Sequence, residues 1–111
     1  MSCSEMLRNM LNLSETELGV YRLLLSSRGQ RVSEVAGLIG RDRSLVQKAL
    51  QNLMSAGLIT RRTEKLKNGG YYYTYDAIAP SQVKKELERC IEEWHDSMLE
   101  SLRRFEEEMK G

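Results

Sequence analysis

SEVAGLIGRDRSLVQKALQNLMSAG, residues 33–57, is the stretch on which the fold turns. Ser33 is placed to cap a short helix, Ser33 to Ile39, that buries Val35, Ala36 and Ile39 and stops at Gly40. Asp42 then caps a longer helix, Arg43 to Ala56, whose apolar residues Val46, Ala49, Leu50 and Leu53 mark one face before Gly57 closes it. Two short helices joined by a glycine-containing turn of about three residues form a helix-turn-helix. The opposite face of the second helix carries Arg43, Ser44, Gln47, Lys48 and Gln51, all polar or basic and none acidic.

Towards the N-terminus, Ser14-Glu15-Thr16-Glu17 reads as a capping box that starts a helix with Leu18, Tyr21, Leu24 and Leu25 as its buried stripe. Ser26-Ser27-Arg28-Gly29 ends it. A first amphipathic helix, capped by Ser4 and ending near Asn12, carries Met6, Leu7, Met10 and Leu11. Towards the C-terminus, Leu58 to Thr63 and Tyr71 to Tyr75 have strand composition, and Asn68-Gly69-Gly70 supplies the turn of a basic β-hairpin. Pro80 and Ser81 open a helix running to about Lys110. Its apolar residues Val83, Leu87, Ile91, Trp94, Met98, Leu102, Phe105 and Met109 are spaced four, four and three apart, close to an 11-residue repeat. One small domain cannot cover so long a stripe, so the helix is expected to pack on a second copy or on the N-terminal helix. The fold class is therefore mainly α with a small β-hairpin (α+β), divided into a body, residues 1–80, and a long helix, residues 81–111.

The chain has 111 residues, enough for one domain with a modest core and no separate effector domain. Its longest apolar run, Leu23-Leu24-Leu25, is far short of a membrane span, and the first residues lack the pattern of a signal peptide. A cytoplasmic location without membrane contact is expected. The formal net charge of +1 hides an uneven distribution. Residues 28–80 carry nine bases against four acids, whereas residues 81–111 carry six bases against nine acids. A basic middle segment is the footprint of a polyanion binder, although a solvated surface gives similar counts.

The order of helix, helix, helix-turn-helix, hairpin and long helix resembles the winged helix-turn-helix regulators of the MarR and TrmB groups. Leu13 to Glu17 with Val20 to Leu24 is similar to the opening of TrmB-type DNA-binding domains. Val32 to Ala36 through Gly40, Ser44 to Val46, Leu50 to Leu53 and Ala56 to Arg62 resemble the helix-turn-helix and first wing strand shared by both groups. The resemblance implies a transcriptional regulator, double-stranded DNA as partner and a homodimer built by the terminal helices. The sugar-binding domain that follows this region in full-length TrmB proteins has no counterpart in these 111 residues, so sugar sensing does not carry over.

The resemblance makes Arg43 to Ala56 the recognition helix. Arg43 suits bidentate bonding to guanine, Gln47 and Gln51 suit adenine, Ser44 suits a base or a phosphate, and Lys48 suits a phosphate. The wing residues Arg61, Arg62, Lys65, Lys67 and Asn68 suit the DNA backbone or a minor groove. Met6, Met10, Leu87, Ile91, Trp94, Met98, Leu102 and Phe105 are the expected dimer interface. Without the neighbouring motif, Gln47, Lys48 and Gln51 would be an ordinary solvated helix face. Tyr71, Tyr73 and Tyr75 share one strand face and are expected to pack, with Tyr72 on the other face left open. His95 reads as an exposed or interface residue, and Cys90 as a buried thiol that fills space. Two cysteines, Cys3 and Cys90, are too few for a disulfide framework or an unaided zinc site. No phosphate loop, nucleophile elbow or metal-ligand spacing is present, so neither catalysis nor a cofactor is expected. Two other functions fit the same residues: a winged-helix protein-interaction module without DNA binding, and a regulator switched by oxidation of Cys3 or Cys90.

Overall fold

Seven elements follow one another as α1 (Cys3–Leu11), α2 (Glu15–Ser26), α3 (Val32–Ile39), α4 (Arg43–Ser55), β1 (Ile59–Lys65), β2 (Tyr71–Ala77) and α5 (Pro80–Lys110). They are taken from a computed structural model that describes residues 2–111. The fold is mainly α with a two-stranded wing, as expected.

Local chemistry starts and stops most of these elements. Ser14 accepts from the Glu17 N–H at 3.2 Å while the Glu17 carboxylate accepts from the Ser14 N–H at 3.0 Å, which completes the capping box of α2. Gly40 ends α3 with φ 71°, a conformation that costs a side-chain-bearing residue about 1–2 kcal/mol. Two caps differ from expectation. Ser2, not Ser4, caps α1 by accepting from the Glu5 N–H at 3.2 Å. Helix α3 begins at Val32 rather than Ser33, and the Glu34 carboxylate accepts from the Arg31 N–H at 2.8 Å. A carboxylate three residues into the helix reaches back there, so no hydroxyl cap is required.

The core lies where α2, α3 and α4 meet the base of the wing. Val20, Leu24, Val35, Val46, Leu50, Leu53 and Tyr75 are completely buried in it. On α2 the stripe is rotated from the expected one: Val20 and Leu24 are inside, Leu18 and Tyr21 are half-buried, and Leu25 is 42% exposed. Leu25 and Val20 are five residues apart on a 3.6-residue helix, so they cannot point in one direction. Tyr21 instead donates its hydroxyl hydrogen to the Ile78 carbonyl at 2.7 Å, which ties α2 to the segment leading into α5.

The strands pair antiparallel from Ile59↔Ala77 to Lys65↔Tyr71. On the other edge of β2, Gln30 and Tyr75 exchange two backbone hydrogen bonds, at 3.3 and 2.9 Å, so the chain just before α3 adds one rung to the wing. Asp76 fastens the same corner, accepting from the Gly29 N–H at 2.8 Å and pairing with Arg62 at 3.0 Å.

Helix α5 has 31 residues, about 46 Å at 1.5 Å per residue. Only its first third joins the core, through Val83, Leu87 and Cys90. Here the expectation for the cysteines fails. Cys90 is not a free thiol, because it is disulfide-bonded to Cys3 of α1 across 87 positions of sequence, with Cα atoms 5.1 Å apart. The cause is tertiary: α1 packs along α5 and brings Cys3 over its third turn. This staple closes nearly the whole body into one loop, and loops of that length restrict the unfolded chain by about 4.6 kcal/mol in the chain-entropy account. Cys90→Ser, or reduction of the wild type, should lower unfolding stability by about 2–4 kcal/mol in denaturant titrations. Cys3→Ser should be as destabilised as the reduced wild type and insensitive to added thiol.

Candidate nucleic-acid interface

The seating of α4 decides what it shows outward. With Val46, Ala49, Leu50 and Leu53 buried, the residues on the far side are Arg43, Ser44, Lys48 and Gln51, all exposed, and the half-buried Gln47. Arg43, Gln47 and Gln51 follow at four-residue spacing and so form one row along the helix, with Ser44 and Lys48 in the next row.

Ser44 is less free than the sequence implies. Its N–H donates to the Asp42 carboxylate at 3.2 Å, and its hydroxyl donates to the same oxygen. The Ser44 hydroxyl, helped by nearby backbone N–H groups, lowers the Asp42 pKa below the usual carboxylate range. Asp42 therefore stays ionised at neutral pH and caps the positive end of α4, where a carboxylate is favoured. This contribution is present above the ordinary carboxylate pKa and disappears as the pH falls through the lowered one.

Beside α4 stands the wing. Arg61, Arg62, Lys65, Lys67 and Asn68 are all exposed, and the tip, residues 66–70, closes through Leu66–Gly70 and Gly69–Leu66 backbone hydrogen bonds at 3.1 and 3.3 Å. Two of the arginines are occupied. Arg62 is held by Asp76, and the Arg61 guanidinium lies 4.0 Å from the centre of the Tyr73 ring. Lys65 and Lys67 project without an ion-pair partner among the described residues. The tyrosines divide as expected for packing: Tyr75 is in the core, Tyr73 lies against it, and Tyr71 meets Tyr73 edge-on with ring centres 5.4 Å apart. Tyr72 is covered by the Arg31 guanidinium, 3.6 Å from its ring centre.

Between α4 and β2 lies a cleft of about 400 Å³ whose lining includes Arg31, Ser33, Arg43, Gln47 and Tyr72. Arg31 carried no signal in the sequence, and Ser33 was read only as a helix cap. The Gln30–Tyr75 rung, which joins residues 45 positions apart, sets β2 and so Tyr72 beside them.

The expected dimer residues separate into two groups. Met6 and Leu87 are buried within the chain itself. Met10, Ile91, Trp94, Met98, Leu102 and Phe105 are exposed, with Leu99 and Met109 beside them. The other side of α5 carries ion pairs such as Arg103–Glu107 at 2.9 Å and Lys110–Glu106 at 2.9 Å, so its acids form a solvated face. His95 is exposed at the edge of the apolar stripe, 3.6 Å from Asp96. Among the described residues no cluster of three potential metal ligands occurs, and no helix is long and apolar enough to cross a membrane.

Comparison with known proteins agrees with this geometry. An uncharacterised protein of Methanocaldococcus jannaschii is 42% identical over 83 residues, covering 75% of this chain and 63% of its own length. A second uncharacterised protein of that organism is 38% identical over 108 residues, covering 96% and 88%. The chain thus spans less than two thirds of the first relative and most of the second. Among solved structures, a possible transcriptional regulator from Methanosarcina mazei Go1 superposes with TM-score 0.67 at 23% identity, over 93% of this chain and 88% of that one. FabT of Streptococcus pneumoniae, crystallised with DNA, gives TM-score 0.52 at 15% identity, over 84% and 62%. At these identities the structural likeness establishes the winged-helix fold. The model of the sugar-specific transcriptional regulator TrmB family matches residues 7–81, all of the helix-turn-helix and wing, and the chain belongs to that family.

Proposed function

We propose that this chain is a transcriptional regulator that binds specific double-stranded DNA in the cytoplasm as a homodimer, acting most simply as a repressor that blocks promoter access. The observation that carries the reading is the acid-free outer row of α4, standing beside a basic wing in a chain of a transcription-regulator family. An α-helix of this width fits the major groove. Arg43, Gln47 and Gln51 form the base-reading row, and Lys48 meets a phosphate. Arg61, Lys65, Lys67 and Asn68 lie along the backbone, while Arg62, held by Asp76, sets the angle of the wing. FabT, with the same fold, has been crystallised with DNA, which supports this use of the surface.

The exposed stripe of α5 supports dividing the chain into a DNA-binding body, residues 1–80, and a dimerisation helix, residues 81–111, whose first third also packs on the body. Trp94 is 55% exposed and Phe105 is 57% exposed, and a contiguous apolar face of this length on a lone chain marks an interaction surface. Its interface is Met10, Ile91, Trp94, Met98, Leu102 and Phe105. A two-fold dimer would set the recognition helices about 34 Å apart and read half-sites about 10 bp apart.

A second reading keeps DNA binding and adds redox control, because Cys3 and Cys90 are paired. Reduction by a dithiol would open the bond, giving two thiols and leaving the reductant as its disulfide, and would free α1 from α5. Equal operator affinity of oxidised protein, reduced protein and both serine variants would eliminate this reading.

Arg43→Ala should flatten the ranking of duplexes by sequence in fluorescence anisotropy, at a cost of about 1–3 kcal/mol on the preferred site. Lys65→Ala with Lys67→Ala should weaken all duplexes alike and reduce the salt slope by roughly 0.9 per lost phosphate contact. Identical behaviour of the two variants would overturn the assignment of roles. Trp94→Glu should convert the dimer to a monomer in sedimentation experiments while the helical signal of the body persists. An unchanged dimer would remove α5 from the interface.

A further inference from the structure

The cleft between α4 and β2 joins Arg43 and Gln47 of the base-reading row to Arg31 and Ser33, which none of the assigned roles uses. Its lining contains no acidic side chain. Two guanidiniums border it from different elements, Arg31 ahead of α3 and Arg43 at the start of α4. Arg31 is not paired with a carboxylate side chain; it rests flat on Tyr72 at 3.6 Å, which leaves the edge of its guanidinium, where its donors point, free. Ser33 adds a hydroxyl beside the first turn of α3, where backbone N–H groups lack helical partners.

Backbone alternation supplies another donor. Tyr75 uses its N–H and carbonyl on the outer edge of β2 to meet Gln30. Tyr73, two residues earlier, therefore directs its N–H to the same edge, beyond the end of that short pairing and facing the cleft.

We propose that this cleft is a phosphate-binding socket in which Arg31 holds a single phosphate group, with an N–H that the base-reading Arg43 does not use on its base directed to the same group. The assignment rests on the DNA-binding reading for its source, a backbone phosphodiester next to the groove that α4 enters. A free phosphate ester has the same chemistry and is the other source. Arg31 then acts as an anchor that fixes the register of α4 and wing on the duplex, and Tyr72 holds it in place. Two planar guanidiniums offer several fixed donors to tetrahedral oxygens, an arrangement that lysines do not reproduce.

Two experiments on the full chain test this. In the first, inorganic phosphate is titrated into the wild type while the arginine side-chain N–H and tyrosine ring signals are followed by NMR. Saturable shifts at Arg31, Arg43 and the Tyr72 ring that Arg31 covers are expected. In the second, Arg31→Gln is compared with wild type on random and preferred duplexes across salt. A severalfold loss on every duplex, an unchanged sequence ranking and a salt slope smaller by roughly 0.9 are expected. A preserved circular dichroism spectrum would show that the loss is not unfolding. Unchanged DNA affinity in Arg31→Gln, together with no phosphate shift at Arg31, would overturn the socket and leave the recognition row of α4 intact. Phosphate shifts at Arg31 in a wild type that binds no duplex would keep the socket, make a free phosphate ester its ligand, and overturn the DNA reading.

Discussion

The seating of one helix face governs the rest of the molecule. Val46, Ala49, Leu50 and Leu53 are buried against α2, α3 and the base of the wing, and each large one contributes roughly 1.5–3 kcal/mol by leaving water. Because a helix is rigid, burying that stripe also fixes the direction of every other side chain on it. Arg43, Gln47 and Gln51 form an outward row for no reason beyond their offset from the buried one. A helix proposed to read DNA gains from this arrangement, since its proposed reading residues are oriented by packing and lose little entropy on contact.

The wing depends on the same core at one remove. Tyr75 is the strand residue that enters it, and the exchange of hydrogen bonds with Gln30 sets β2 alongside the start of α3. Asp76 then neutralises Arg62 and accepts from Gly29, so one carboxylate fixes both the base of the wing and the turn before the helix-turn-helix. Surface ion pairs of this kind add little stability, about 0–1 kcal/mol. Its importance is geometric: the basic tip is carried at a set distance from α4, with Lys65 and Lys67 available for a partner.

What could be read from the amino-acid sequence was mostly local. The Ser14–Glu17 box, the glycine that ends α3, the Asp42 cap and the alternation of the wing are each encoded within a few residues, and all are present. The helix-turn-helix itself is of this kind. Features made by distant segments were not legible. The Cys3–Cys90 bond spans 87 positions and depends on how α1 lies on α5. Met6 and Leu87 have the spacing of an interface stripe but are consumed by the same contact. Ser44 has a hydroxyl suited to DNA, yet an aspartate two residues earlier engages it. Arg31 carried no signal at all, since the Tyr72 ring it covers is brought alongside by a strand rung that no local pattern announces.

In the proposed dimer, helix α5 turns one DNA-reading unit into a symmetric one. Its exposed stripe continues for five turns past the last residue that the body covers, and a second copy offers the same stripe in return. The most direct test is fluorescence anisotropy of the chain on random duplex DNA at several salt concentrations, with the mass of free and bound species measured alongside. The account predicts a dimer that binds two chains per duplex with micromolar, steeply salt-dependent affinity. A chain that shows no binding even at low salt would contradict it and would make the winged helix a surface for protein partners.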